Sequence, residues 1–80
     1  MKLSEMTVGE TARIIAVVGG TETARLAALG VAPGAETRCL FCHPSGDPVA
    51  YLFGETVVAM RRCTADAVLV ESKRKNREEP

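Results

Sequence analysis

Residues 11–18, TARIIAVV, are rich in β-branched side chains and set Ala12, Ile14, Ala16 and Val18 on one face at period two. That is the pattern of a half-buried strand, bounded by Gly9 and by Gly19-Gly20. The period then changes in TETARLAALG, where Ala, Leu and Arg favour helix, Thr21 is a candidate N-cap and Glu22 lies near the positive end of the dipole. Leu26 and Leu29 share one face of this two-turn helix, and Arg25 sits about a hundred degrees round from Leu26. Gly30 ends it in the left-handed conformation, which places Val31 against Leu26 across a Schellman turn. Pro33-Gly34 then carries the residues of a type II turn.

Residues 37–42 form a second strand whose alternation is broken by Arg38 and the cysteines. Pro44-Ser45-Gly46-Asp47-Pro48 is a loop of turn formers. Residues 49–53 and 56–61 read as strands joined by Gly54-Glu55, a two-residue loop suited to a type II′ hairpin. A tight turn at residues 63–66 leads into a last strand at 67–70, with Val68 and Val70 inward. The predicted fold class is mainly β, a small five-stranded antiparallel barrel with one short inserted α-helix.

Composition narrows the picture. Eighty residues make one small domain, and ten Lys plus Arg against ten Asp plus Glu give no field that would draw nucleic acid. The longest apolar stretch, residues 26–35, is interrupted by Gly30, Pro33 and Gly34 and falls short of the ~20 residues that span a bilayer, so no membrane insertion is expected. Lys2 is followed by Glu5 and Glu10 rather than by a secretory apolar run. Three cysteines, an odd number, then point to reduced thiols and a cytoplasmic location. From residue 71 onward, apart from Pro80, the side chains are polar or charged. Lys73, Arg74, Lys75 and Arg77 mingle there with Glu71, Glu78 and Glu79, which weakens any attraction to anionic lipid. The folded unit is therefore expected over residues 1–71, with a charged flexible tail at 72–80.

Candidate chemistry centres on Cys39-Leu40-Phe41-Cys42-His43, which satisfies the C-x-x-C-H pattern of covalent haem attachment. Haem needs an oxidising compartment and a macrocycle-sized pocket, and the motif runs from strand into turn, so haem is disfavoured. Cys39, Cys42, His43 and Cys63 make a nominal set for zinc or iron. On a regular strand residues 39 and 42 point to opposite faces, and they converge only if the strand bends at Phe41 or Cys42. The favoured reading makes the cysteines small hydrophobes of the barrel wall, with no cofactor. A redox role for the pair is weaker, because it wants a thiolate at a helix N-terminus. His43, Ser45 and Asp47 crowd into one five-residue turn, which suits turn chemistry better than a catalytic triad. No phosphate-binding glycine loop occurs. Arg61-Arg62 reads as a solvated strand end, with a partner carboxylate as the lesser alternative. No enzyme is expected.

Taken in order, Leu3, Met6 and Gly9, the strand with Ile14, Arg25-Leu26, Leu29-Gly30, Pro33-Gly34, Gly46-Asp47-Pro48 and Arg61 resemble the FeoA family over residues 3–70. The resemblance implies an SH3-like β-barrel acting in the cytosol as an accessory of the GTP-driven ferrous iron transporter FeoB, without catalytic residues. The same fold forms a C-terminal module of iron- and manganese-dependent repressors, which this chain resembles less. The cysteines lie outside the family pattern, so the resemblance implies no metal site at them. On this reading Arg25 and Leu29 of the helix, Asp47 of the loop and Arg61 are the candidate partner-binding residues, although Leu26 and Leu29 are expected first of all to pack. Two functions follow. One is an adaptor that contacts the cytosolic part of FeoB, with weak homo-oligomerisation open. The other is a metal-binding module, an iron or zinc chaperone or sensor, using Cys39, Cys42, His43 and Cys63.

Overall fold

Alternation in the first strand becomes alternating burial, then reverses. The computed structural model describes residues 1–19 and 22–72. In β1 (Thr11–Val17) Ala12 and Ile14 are buried while Thr11, Arg13 and Ile15 face solvent. Ile14 pairs with Val70 but Ala16 pairs with Leu69, so one extra residue is inserted there as a β-bulge. The bulge shifts the phase: Val17 packs against the core and Val18 is exposed, contrary to the expectation that Val18 lies inward.

β2 (Glu36–Cys42), β3 (Val49–Phe53), β4 (Thr56–Met60) and β5 (Val68–Ser72) complete one antiparallel sheet in the order β4-β3-β2-β1-β5. A second bulge lies in β2, where Cys39 pairs with Tyr51 but Phe41 pairs with Ala50. Thr37 and Cys39 point inward before it; after it Phe41 is exposed and Cys42 packs on the core. Cys39 and Cys42 therefore do share the inner side, through a bend at Leu40 rather than at Phe41 or Cys42. In a flat sheet β4 and β5 would stand about 19 Å apart. Met60 of β4 and Val68 and Val70 of β5 nevertheless belong to one continuous core, so the sheet is curled into a barrel.

Tyr51, Leu3, Ile14, Val31, Val68, Val70 and Cys39 fill the interior. A 3₁₀ turn at Leu3–Glu5 lays Leu3 and Met6 over it, and the Tyr51 hydroxyl donates to the Leu3 carbonyl at 3.2 Å. The N-terminus also runs beside β5: Lys2 bridges to Leu69, and the Val70 N–H donates to the Met1 carbonyl at 2.7 Å.

α1 (Thr23–Ala28) is anchored by Leu26, its one buried residue. The Schellman turn forms as expected, with Val31 N–H to Leu26 C=O at 2.9 Å and Gly30 N–H to Ala27 C=O at 3.0 Å, Gly30 having φ +96°. Leu29 does not join Leu26 in the core but stays 39% exposed. Glu22 precedes the helix without a side-chain cap, and the expected cap Thr21, with Gly20, lies outside the described residues. Ala35 N–H closes the Pro33-Gly34 turn on the Ala32 carbonyl at 3.0 Å. Gly54 opens the β3–β4 loop at φ +64°, and Phe53 pairs with Thr56 across it. The tight turn expected at residues 63–66 is instead a one-turn helix, α2 (Arg62–Ala65), so two short helices accompany the sheet among the described residues. β5 reaches Ser72; residues 73–80, which hold most of the expected tail, lie outside the described residues. No described helix is long and apolar enough to cross a membrane.

The αL geometry at Gly30 predicts that Gly30→Ala lowers stability by about 1–2 kcal/mol. The added Cβ would meet the Phe53 Cβ at an ordinary 3.6 Å, so the cost is conformational rather than steric. Urea unfolding checks this: the midpoint should fall with the slope unchanged.

Candidate functional site

α1 stands away from the barrel on the side of β4 and α2, leaving an open groove of about 430 Å³. Arg25 and Leu29 line one wall, Val58, Met60 and Arg61 the other, and Leu26 reaches it from the core side. Arg25 is held by position alone: its side chain is 77% exposed, with one nitrogen 3.9 Å from Glu22 across a single helical turn. Arg61 is extended backbone before α2, and its exposed guanidinium has no ion-pair partner among the described residues. Among the described residues Glu22 is the groove's one carboxylate, and it already lies beside Arg25. A second depression of about 370 Å³, bordered by Val17, Val18, Thr23 and Ala67, flanks α1 on its other side, and Leu26 and Cys63 line both.

Arg25, Leu29 and Arg61 thus come together from distant parts of the chain. Asp47 does not join them. Its Oδ1 accepts the Arg62 N–H at 3.0 Å, satisfying the first amide of α2 from a remote loop, as a cap does. Arg62 itself is no solvated strand end, in contrast to the reading of Arg61-Arg62 as one. Its Nε donates to the Gly46 carbonyl at 2.7 Å, one Nη donates to the Ser4 carbonyl at 3.1 Å, and the other lies 3.9 Å from the Cys42 Sγ. One side chain therefore joins the 43–48 loop, the 3₁₀ turn and β2. Ser4 adds a hydroxyl bond to the Asp66 carboxylate at the other end of α2. Sequence alone offered no signal that separates Arg62 from its neighbour.

The His43, Ser45 and Asp47 trio makes a turn. His43 Nδ1 accepts the Ser45 N–H at 3.1 Å and lies 2.9 Å from the Ser45 Oγ, which also reaches the Asp47 backbone carbonyl at 3.0 Å. The Asp47 carboxylate is turned to α2, so the three side chains do not form a relay.

The cysteines differ sharply. Cys39 is 1% exposed, and burial first, then the neighbouring Cys42, push its thiol above the ordinary value. The Cys42 Sγ contacts the His43 carbonyl at 3.4 Å, and Cys63 is exposed on α2. Among the described residues, no three His, Cys, Asp or Glu side chains converge as a metal-ligand set. Burial likewise lifts the Tyr51 phenol, to about 12.

A curled five-stranded sheet with its interior plugged by short helices, and an open basic groove beside it, defines a small SH3-like β-domain. The FeoA domain model matches residues 1–72, and the chain belongs to the FeoA family. It is similar to the solution structure of FeoA from Chlorobium tepidum, with 31% identity and a TM-score of 0.89 over 96% of this chain and 74% of that one. FeoA from Stenotrophomonas maltophilia, solved as a zinc complex and described as an SH3 domain protein, shares 30% identity with a TM-score of 0.78 over 89% of each chain. Iron(II) transport protein A from Clostridium thermocellum shares 34% identity with a TM-score of 0.86, over 91% of this chain and 46% of that one. None of the curated proteins matches the sequence.

The bonds of Arg62 and the burial of Cys39 each have measurable consequences. Arg62→Ala should cost about 1–3 kcal/mol in urea unfolding, because it removes the charged donor that ties the 43–48 loop to the 3₁₀ turn, while Arg61→Ala should stay within about 0.5 kcal/mol. Thiol alkylation of the folded protein should modify Cys63 first and Cys39 last. Because the folded Cys39 pKa is raised, its contribution to stability is complete below the unfolded value and is lost as pH rises through and beyond the ordinary 9.0. Cys39→Ala should flatten that alkaline decline in melting temperature.

Proposed function

We propose that this protein is a cytoplasmic accessory factor of ferrous iron transport that acts by reversible contact with the cytosolic part of the transporter FeoB. Family membership supports the pathway: the C. thermocellum relative is named an iron(II) transport protein, and the S. maltophilia relative is described as a candidate activating factor of bacterial ferrous iron transport. The observation that carries the mode of action is the groove, where Arg25, Leu29 and Arg61 meet and, among the described residues, Glu22 beside Arg25 is the one carboxylate. Two guanidiniums flanking an apolar floor suit a partner segment that combines carboxylates with aliphatic side chains. The partner supplies the chemistry, and this chain supplies a shaped contact.

A groove of this size corresponds to an interface below about 1,200 Å² and to a transient association. Arg25→Glu tests the reading. The exposed side chain predicts a melting temperature close to that of the unsubstituted protein, while binding to the isolated cytosolic part of FeoB weakens at least severalfold. Ferrous uptake should fall in cells that carry only the variant. Full uptake with a folded Arg25→Glu protein would refute the groove as the contact, and unchanged uptake after deletion of the whole chain would refute the accessory role.

A further inference from the structure

The two edges of the sheet are treated differently. Beside β5 runs the N-terminal segment, through the Lys2 bridge to Leu69 and the Val70 to Met1 hydrogen bond. Among the described residues β4, the opposite edge, pairs with β3 alone. Its sequence, TVVAM, contains no charge and no proline, and its pairing with β3 runs without a bulge, so the strand itself carries none of the usual devices that keep a free edge from accepting another strand; α1 faces its Ala59 end only across the open groove.

The hairpin register says which groups are open. Across a two-residue loop the flanking pair Phe53 and Thr56 exchanges hydrogen bonds, and bonded pairs recur every second residue, at Tyr51 with Val58 and Val49 with Met60. Val57 and Ala59 therefore turn their N–H and C=O groups away from β3, and no partner for them occurs among the described residues. Their side chains are exposed, Val57 at 57%.

We infer that the β4 edge pairs antiparallel with β4 of a second copy of this chain, in a reversible two-fold dimer centred on Val58. In that register Val57 of one copy lies opposite Ala59 of the other, so the open backbone groups of each satisfy those of its mate. Glu55 of each copy then falls opposite Arg61 of the other. Both are exposed, and neither has an ion-pair partner among the described residues. Sliding the pairing by two residues either way sets Arg61 against position 53 or 57 and loses that match, so charge as well as backbone geometry selects one register. Five residues a side make a small interface, so the dimer is weak and forms at high protein concentration. Because Ala59 and Arg61 also line the groove, self-pairing and transporter contact compete for them.

Sedimentation velocity and amide hydrogen exchange on the purified full chain, from micromolar to millimolar concentration, test the inference without the transporter. Val57 and Ala59 amides should gain protection as concentration rises, while Val58, bonded to β3, stays protected throughout. Glu55→Arg and Arg61→Glu should each weaken self-association roughly tenfold, since the symmetry reverses two pairs at once, and the double variant should restore it. Ala59→Pro removes an outward N–H without touching the β3 ladder and should abolish dimerisation; the two charge variants keep the test decisive if that substitution disturbs the fold. A chain that remains monomeric at millimolar concentration would overturn the dimer. So would association indifferent to both charge reversals, or protection of Val57 and Ala59 that arises only when the cytosolic part of FeoB is added. The last result would leave the transporter contact standing, and so separates the two proposals.

Discussion

A sheet this small buries its inner face only by curling over on itself, and the two bulges, between Ile14 and Ala16 and between Cys39 and Phe41, are where β1 and β2 bend. Each inserts one residue and exchanges the inward and outward phases of its strand. The consequences reach beyond the strands themselves: Val17 replaces Val18 at the core, Cys42 comes to the same side as Cys39, and Phe41 is turned to solvent. With both strands bent, Met60 and Val68 from opposite edges of the sheet share one interior. Tyr51 can then lie fully buried with its hydroxyl satisfied by the Leu3 carbonyl.

Curling leaves the ends of the barrel open, and short pieces of chain close them. The 3₁₀ turn contributes Leu3, α1 contributes Leu26, and α2 contributes Ala65. None of these pieces is long enough to be stable alone. α2, a single turn, is held instead by bonds from elsewhere: Asp47 on its first amide, Ser4 on Asp66, and the fan of donors from Arg62. Only a planar guanidinium can donate in several fixed directions at once, which gives an arginine at position 62 a structural meaning that a lysine would not carry.

Local signals were legible wherever a residue type dictates its own geometry. Gly30 with Leu26 and Val31 announced the Schellman turn, Gly54-Glu55 the hairpin, and Val68 and Val70 the inner face of the last strand. Features decided between segments were not legible. A bulge is a property of two strands in register, so regular alternation misplaces Val18 and sets Cys39 and Cys42 on opposite faces. α2 begins where a carboxylate fifteen residues upstream caps it, and nothing in Arg62-Cys63-Thr64-Ala65 shows that. For the site, Arg25, Leu29 and Arg61 are recognisable as exposed or shared features of the family, but their meeting at one groove depends on where the chain sets α1 relative to β4.

That groove has unlike walls. One is β4 and α2, fixed by the sheet ladder and by the bonds around Arg62. The other is α1, a six-residue helix with one buried side chain and, among the described residues, no side-chain N-cap bond. Local stability follows buried contacts and satisfied backbone, so α1 belongs to the least stable part of the described chain while β4 shares the stability of the core. A contact made across both walls gains specificity from the rigid strand and tolerance from the loosely anchored helix. Anchoring by Leu26 alone has a further consequence, because it frees Leu29 and Arg25 to face the opening. The Schellman turn at Gly30 ends α1 directly after Leu29, and Leu29 stays 39% exposed at the groove.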